Sequence, residues 1–166
     1  GELMSRIGVE AVIFDLGRVL LDFDHQRAAE RIAVFSDRPA SEAFKLFFDS
    51  PLTARFESGR ISPRYFFSQV KARLNLRLEY ASFVPIWNEI FFFTPQNKSV
   101  YRLAKSLRKR YKVALVSNIN ILHLEYVKKA FPVLEAFDSV IASCQVGAIK
   151  PHRVIYQRAL ASLRTC

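Results

Sequence analysis

The feature that most constrains the fold is a short apolar run that ends in an acid. Residues Ala11–Phe14 comprise one alanine followed by three β-branched or aromatic residues, and Asp15 comes directly after them. An unbroken apolar run without alternation is typical of a strand covered on both faces, as in a parallel α/β sheet. Open α/β sheets bind ligands at the carboxyl ends of their strands. The stretch therefore predicts either a ligand-binding carboxylate at Asp15 or an acid that merely caps a loop.

The composition predicts a folded domain with a sizeable core. The chain has 166 residues, of which 51% are hydrophobic, and it includes 15 phenylalanines, which argues against disorder. No apolar run reaches the roughly 20 residues that a membrane helix needs, so we expect no membrane partner. Cys144 and Cys166 lack metal-ligand spacing, and we expect a reduced, cytoplasmic compartment.

The net charge of +10 is compatible with nucleic acid, an anionic membrane or a phosphorylated substrate as partner. The densest basic run, residues 105–112, lies at the end of a predicted helix, where cations complement the helix dipole. No nucleic-acid-binding motif accompanies this run. We therefore interpret it as a solvated helix end and expect no nucleic-acid partner.

Apolar periodicity divides the chain into two kinds of structure. Residues 25–92 show helical spacing and helix-start signals such as Ser50–Pro51 and Ser62–Pro63, and their aromatic residues are expected to form a core. Beyond residue 93, predicted strands at 112–116 and 139–142 alternate with helices, which is typical of parallel βαβ units. We predict an α/β core formed by residues 4–24 and 93–166, with residues 25–92 inserted as a helical block.

Polar residues follow all three predicted strands. Asp15 ends the first strand, Ser117 and Asn118 end the second, and Lys150 follows the third. The carboxyl ends of parallel strands lie at one edge of a sheet, so these residues are expected to converge. Such a set suits phosphoryl transfer, because a carboxylate can attack phosphorus while a hydroxyl, backbone N–H groups and a cation hold the phosphoryl oxygens.

Three segments carry a family resemblance: residues 14–20, 116–120 and 147–151. They resemble the haloacid dehalogenase (HAD) superfamily, and residues 56–62 resemble the helical cap of its small sugar-phosphate phosphatases. The likeness is nearest to the α-D-glucose-1-phosphate phosphatase-like branch. The resemblance implies an α/β fold, with a HAD-like Rossmannoid parallel sheet as its core and residues 25–92 as an inserted α-helical cap.

The resemblance also implies roles for individual residues. Asp15 would be the nucleophile and, with the carbonyl of Gly17, a ligand of Mg²⁺. Ser117 and the backbone at Asn118 would bind phosphate, and Lys150 would steady both Asp15 and the phosphate. The cap would choose a small phosphorylated substrate. Further candidates for the lining of the substrate pocket are Arg18, Asp24 and Asn120.

Gly17 departs from the pattern of most HAD phosphatases. They carry at this position a second aspartate, which works as general acid and base. The glucose-1-phosphate phosphatase-like branch shares the departure, so it does not exclude phosphatase activity. The proton for the leaving group would then come from elsewhere, such as water or the substrate itself. An anomeric phosphate, which has a good leaving group, would depend less on this proton.

The acidic pair that completes the family's magnesium site is the second departure. It should follow the last helix, but no Asp or Glu follows Lys150 before the sequence ends at Cys166. With Asp15 as the one identifiable carboxylate ligand, we expect weak metal binding and low activity. The first strand would also become an exposed apolar edge, which invites pairing, so we expect a homo-oligomer or poor solubility.

The leading hypothesis is a Mg²⁺-dependent phosphatase that hydrolyses a small phosphate monoester through an aspartyl-phosphate intermediate. One alternative is a haloacid dehalogenase, in which Asp15 attacks carbon and halide is released without added metal. Another alternative is a catalytically inactive HAD-like binding or interaction module. That module would show no turnover but would be stabilised by its ligand.

Overall fold

The computed structural model describes residues 8–164. The remaining residues, including Cys166 and the outermost parts of the predicted core segments, lie outside the described range. The strands are β1 (Ala11–Phe14), β2 (Asp22–Phe23), β3 (Phe91–Phe92), β4 (Lys112–Ser117) and β5 (Ser139–Ala142). The helices are α1 (His25–Ala33), α2 (Ala40–Phe48), α3 (Pro51–Glu57), α4 (Pro63–Leu74), α5 (Tyr80–Asn88), α6 (Pro95–Leu107), α7 (Ile121–Ala130), α8 (Ser143–Val146) and α9 (Arg153–Arg164), with a 3₁₀ helix at Pro132–Ala136.

Three strands form a parallel sheet in the order β1-β4-β5. The register places Phe14 opposite Leu115 and Ser117 opposite Ala142, so the carboxyl ends of the strands lie at one edge. Residues Val113–Ser117 of the central strand are buried, as a continuous apolar run predicts. The predicted α/β fold with a parallel sheet is therefore confirmed.

The first strand is less covered than its apolar sequence predicts. Ile13 keeps 41% of its surface exposed, because within residues 8–164 β1 pairs with β4 alone and forms the edge of the sheet. An exposed edge offers unpaired backbone groups to another strand. Self-association through this edge stays a prediction.

Helices α1–α5 pack around a cluster of buried aromatic residues. Five of its six largest side chains are at most 1% exposed: Phe47, Phe56, Phe66, Phe83 and Trp87. Their rings are in direct contact, with centroids 4.3 Å apart for Phe56 and Phe66 and 4.9 Å apart for Phe66 and Trp87. This confirms that the aromatic residues of the helical block form a core, and the division of the chain at residues 24 and 92 stays a prediction.

A short two-stranded ribbon was missed in the sequence. Within the predicted helical block, α5 ends at Asn88 and the chain continues into β3, which pairs antiparallel with β2. Strands of two residues are too short to show the period of two by which strands are recognised. The ribbon brings Phe23 and Phe91 beside the carboxyl end of the parallel sheet, where both line the cavity described below.

None of the helices within residues 8–164 combines the length and the apolar character that crossing a membrane requires.

Candidate active site

A charged pair links the ends of β1 and β4. The Lys150 Nζ lies 2.8 Å from the Asp15 Oδ1 and donates a second hydrogen bond, of 3.1 Å, to the Val116 carbonyl. The Leu16 N–H donates to the same Asp15 oxygen at 2.7 Å. The side chains of Asp15 and Lys150 are 51% and 22% exposed, so the pair stays open to ligand. The predicted convergence of Asp15 and Lys150 is thus present in the structure.

The side chain of Asn118 fixes the backbone of Lys150. Its Oδ1 accepts from the Lys150 N–H at 2.6 Å, and its Nδ2 donates to the Lys150 carbonyl at 3.3 Å. This double contact holds the loop after α8 against the end of β4. Sequence reasoning missed it, because it assigned only the backbone of Asn118 to phosphate binding. That backbone role stays a prediction.

The strand ends open into one cavity of about 340 Å³. Most of the predicted site residues line it: Asp15, Gly17, Ser117, Asn118, Asn120 and Lys150. Ser117 is 4% exposed, and its position at the end of the central strand directs it to the same edge as Asp15. A volume near the lower end of the usual range for ligand pockets suits a small molecule.

Two predicted pocket residues lie outside the lining of this cavity. Arg18 is exposed, and its guanidinium carbon lies 5.3 Å from the ring centroid of Phe23. Asp24 caps the N-terminus of α1, where its carboxylate accepts from the Gln26 N–H at 2.9 Å. This is a common use of aspartate at a helix start. Contact of Arg18 or Asp24 with substrate stays a prediction.

Asn120 takes part in a buried network that forms the inner wall of the cavity. Its Oδ1 accepts from the His123 N–H and thereby caps α7, while its Nδ2 lies 3.0 Å from the His123 Nδ1. The His123 Nε2 lies 2.8 Å from the Trp87 carbonyl. Since the amide nitrogen of Asn120 is a donor, the His123 Nδ1 accepts and its Nε2–H donates to Trp87. Burial lowers the pKa of His123 to about 3, so its ring is neutral.

Besides His123, sequence reasoning missed two further titratable residues that line the cavity, His25 and Glu57. The Nδ1 atom of His25 is buried and has no hydrogen-bond partner among the described residues, and burial lowers the pKa of this histidine to about 4. Burial raises the pKa of Glu57 to about 7. Two features of the sequence could have indicated these residues. His25 directly follows Asp24, the N-cap residue of α1. Glu57 lies within residues 56–62, which resemble the helical cap domain of the sugar-phosphate phosphatases.

The structure gives a physical reason for glycine at position 17. A Cβ atom placed there would lie 2.7 Å from the Cε1 of Phe23, closer than real Cβ contacts permit. The ring of Phe23 therefore occupies the space that a side chain, including an aspartate, would need. A catalytic acid at this position would require the ring of Phe23 to move.

The donor atoms at this edge match a magnesium site in kind. Mg²⁺ prefers oxygen ligands and is usually held by one or two carboxylates together with phosphate and water. The loop N–H groups donate to the carbonyls of Leu16 and Leu21, and among residues 8–164 no backbone N–H donates to the carbonyl of Gly17. Asp15 and Gly17 could therefore both supply oxygens. The described residues contain no group of three or more His, Cys, Asp or Glu that could hold a metal by themselves.

The sequence matches a family profile described as a haloacid dehalogenase-like hydrolase over residues 9–165. The chain is 24% identical over 154 residues to D-ribitol-5-phosphate phosphatase from Bacteroides thetaiotaomicron, a match that covers 89% of this chain and 74% of that enzyme.

Solved structures show the same likeness. A HAD family enzyme from Bacteroides thetaiotaomicron, in complex with magnesium and inorganic phosphate, superposes with a TM-score of 0.78 at 25% identity, covering 93% of this chain and 78% of that one. The fold also matches a HAD-like family hydrolase from Porphyromonas gingivalis, with a TM-score of 0.76 at 24% identity over 92% and 75% of the two chains. The fold and family predicted from sequence are confirmed, and this chain belongs to the haloacid dehalogenase-like hydrolases.

Proposed function

We propose that this protein is a phosphatase that hydrolyses a small sugar or polyol phosphate through an aspartyl-phosphate intermediate. The observation that carries the proposal is the 2.8 Å contact between Lys150 and Asp15 at the mouth of a cavity that Ser117 also lines. The similarity to a D-ribitol-5-phosphate phosphatase and to a HAD enzyme that binds magnesium and phosphate supports it.

The reaction follows from the chemistry of the three strand-end residues. The Asp15 carboxylate attacks the phosphorus of the ester, an oxygen–phosphorus bond forms, and the bond to the alcohol oxygen breaks. The Ser117 hydroxyl and nearby backbone N–H groups hold the phosphoryl oxygens, while the Lys150 ammonium offsets the negative charge that gathers there. Water then attacks the aspartyl phosphate, which releases inorganic phosphate and regenerates Asp15.

Magnesium fits beside this pair and would be held by the Asp15 carboxylate and the Gly17 carbonyl. When bound, it supplies positive charge that neutralises the phosphate and makes the phosphorus more open to attack. Residues outside the strand ends choose the substrate. The aromatic ring of Trp87 and the neutral rings of His25 and His123 line the inner part of the cavity and suit the weakly polar faces of a small polyol.

The decisive experiment replaces the nucleophile. Asp15→Asn keeps the size of the side chain but removes the carboxylate, so hydrolysis of p-nitrophenyl phosphate in the presence of Mg²⁺ is expected to fall to background. Asp49→Asn, at an exposed carboxylate that ends α2, is the matched control and should retain full activity. EDTA should suppress the wild-type rate. Unchanged hydrolysis by the Asp15 variant would overturn the mechanism.

The same preparations separate the two alternative functions. Halide release from a 2-haloacid without metal would indicate a dehalogenase. Absence of all turnover, together with a higher melting temperature in phosphate, would indicate a binding module.

A further inference from the structure

We infer that Glu57 is the residue that delivers a proton to the leaving-group oxygen in this reaction. The inference rests on the proposed phosphatase function. The residues at the strand ends include no acid for the leaving group. An alkoxide is a poor leaving group unless it is protonated, and Gly17 has no side chain with which to protonate it. The acid must therefore come from another part of the cavity lining.

Glu57 lines the same cavity as Asp15, Ser117 and Lys150, although it lies at the end of α3 in the helical block. Its backbone is tied to the sheet edge by the buried hydroxyl of Ser143. The Ser143 Oγ donates to the Glu57 carbonyl at 2.6 Å and accepts from the Ile119 N–H at 2.9 Å. A single side chain thus connects Glu57 with the loop that follows Ser117.

A second contact fixes the end of α3 against the core. Gly59 has a φ of +72°, and a Cβ atom there would lie 2.2 Å from the carbonyl oxygen of Cys144. Only glycine permits this conformation and this approach together. Because α3 ends against the sheet edge at both Ser143 and Cys144, Glu57 is held in the cavity without any closing movement of the helical block.

The protonation states in the cavity single out Glu57 as the acid. The titratable and charged side chains that face it across the cavity are Asp15 and Lys150 at the strand ends, His25 on α1 and His123 on α7. Both histidines have lost their proton at neutral pH because burial lowers the pKa of each, whereas burial raises the pKa of Glu57 to about 7. Glu57 therefore holds a proton near neutral pH and can release it, which is the balance that a general acid needs.

Glu57 transfers a proton in each of the two steps of the reaction. As the Asp15 oxygen bonds to phosphorus and the ester bond breaks, the Glu57 carboxyl gives its proton to the departing oxygen and a neutral alcohol leaves. The Glu57 carboxylate then takes a proton from the water whose oxygen attacks the aspartyl phosphate. The bond between Asp15 and phosphorus breaks, inorganic phosphate is released, and Glu57 is protonated again.

A pair of aryl phosphates tests this role, because phenolate needs a proton to leave and p-nitrophenolate hardly does. Glu57→Gln should lower kcat/KM, which reports the step in which the alcohol leaves, by about 10²-fold or more for phenyl phosphate, the range for general acid catalysis, and at most severalfold for p-nitrophenyl phosphate. The wild-type kcat/KM for phenyl phosphate should also fall as the pH rises through about 7, because Glu57 then loses its proton. The variant should lack this alkaline limb.

The control is Glu125→Gln, at an exposed position on α7, which should change neither substrate's rate. Glu57→Asp keeps the acid but shortens it and should partly restore hydrolysis of phenyl phosphate, which covers the case in which the glutamine variant does not fold. An equal loss of kcat/KM on both substrates would overturn the role of Glu57 and leave the proposed function standing. Absence of any Asp15-dependent hydrolysis in the wild type would overturn both.

Discussion

The cavity has two walls that are built in different ways. The outer wall carries the charges of Asp15 and Lys150, which are partly exposed and are positioned by a few hydrogen bonds at strand ends. The inner wall consists of Trp87, His123 and Asn120, which are at most 5% exposed and pack against the helical core. The outer wall can therefore change its chemistry at little cost in stability, whereas the inner wall cannot be altered without disturbing the fold.

Truncation of Trp87 tests the inner wall. Trp87→Ala removes a ring that contacts Phe66, Phe47 and His123, so we expect the free energy of unfolding to fall by about 3–5 kcal/mol. Tyr156→Ala, at a ring that is 41% exposed on α9, is the control and should cost less than about 1 kcal/mol. Urea unfolding measures both. Equal effects of the two substitutions would mean that the inner wall is no part of the core.

The next effect tests the outer wall. Lys150→Met removes the cation beside Asp15, and we expect phosphatase activity to fall by about 10²–10³-fold, as for other groups that stabilise developing charge. Stability should change by less than about 1 kcal/mol, because the ion pair is partly exposed. Lys98→Met, at an exposed position on α6, should alter neither quantity. If Lys150→Met lowered stability as much as Trp87→Ala, the two walls would not differ in their contribution to stability.

The smallest effect concerns pH and the two histidines. Burial lowers the pKa of His25 to about 4 and of His123 to about 3, so between those values and about 6.5 the unfolded chain binds more protons than the folded one. Stability from these groups therefore rises with pH through this window. Glu57 has the opposite effect on stability. Its raised pKa makes the folded state bind one more proton than the unfolded chain between about pH 4.5 and 7, so its contribution falls as the pH rises. The net gain from pH 4.5 to 6.5 is about 2 kcal/mol.

Urea midpoints measured across this pH range test the prediction. His123→Gln should flatten the rise of stability with pH, whatever its effect on the absolute stability. His152→Gln, at an exposed histidine, should leave the slope as in the wild type. Glu57→Gln should steepen it, since the opposing contribution is lost. A slope that none of these substitutions changes would show that the inner wall does not exclude protons.

The outer wall was predictable from sequence, whereas of the inner wall only Asn120 was a predicted pocket residue. Asp15, Ser117 and Lys150 each follow a strand that apolar runs reveal, and parallel strands bring such positions to one edge. His25 and Glu57 reach the cavity only through the packing of helices whose relative positions no local pattern encodes. The ribbon of β2 and β3 was missed because its strands are too short to show a period of two and its pairing joins residues about 70 positions apart.

The contact between Asn118 and Lys150 has a consequence for the thermodynamics of binding. Because the amide of Asn118 holds both the N–H and the carbonyl of Lys150, the loop that carries the lysine is ordered before any ligand arrives. The entropy cost of ordering that loop is then part of folding and does not weaken association. Calorimetry of phosphate binding should accordingly show a small heat-capacity change, and Asn118→Ala should make binding entropy less favourable.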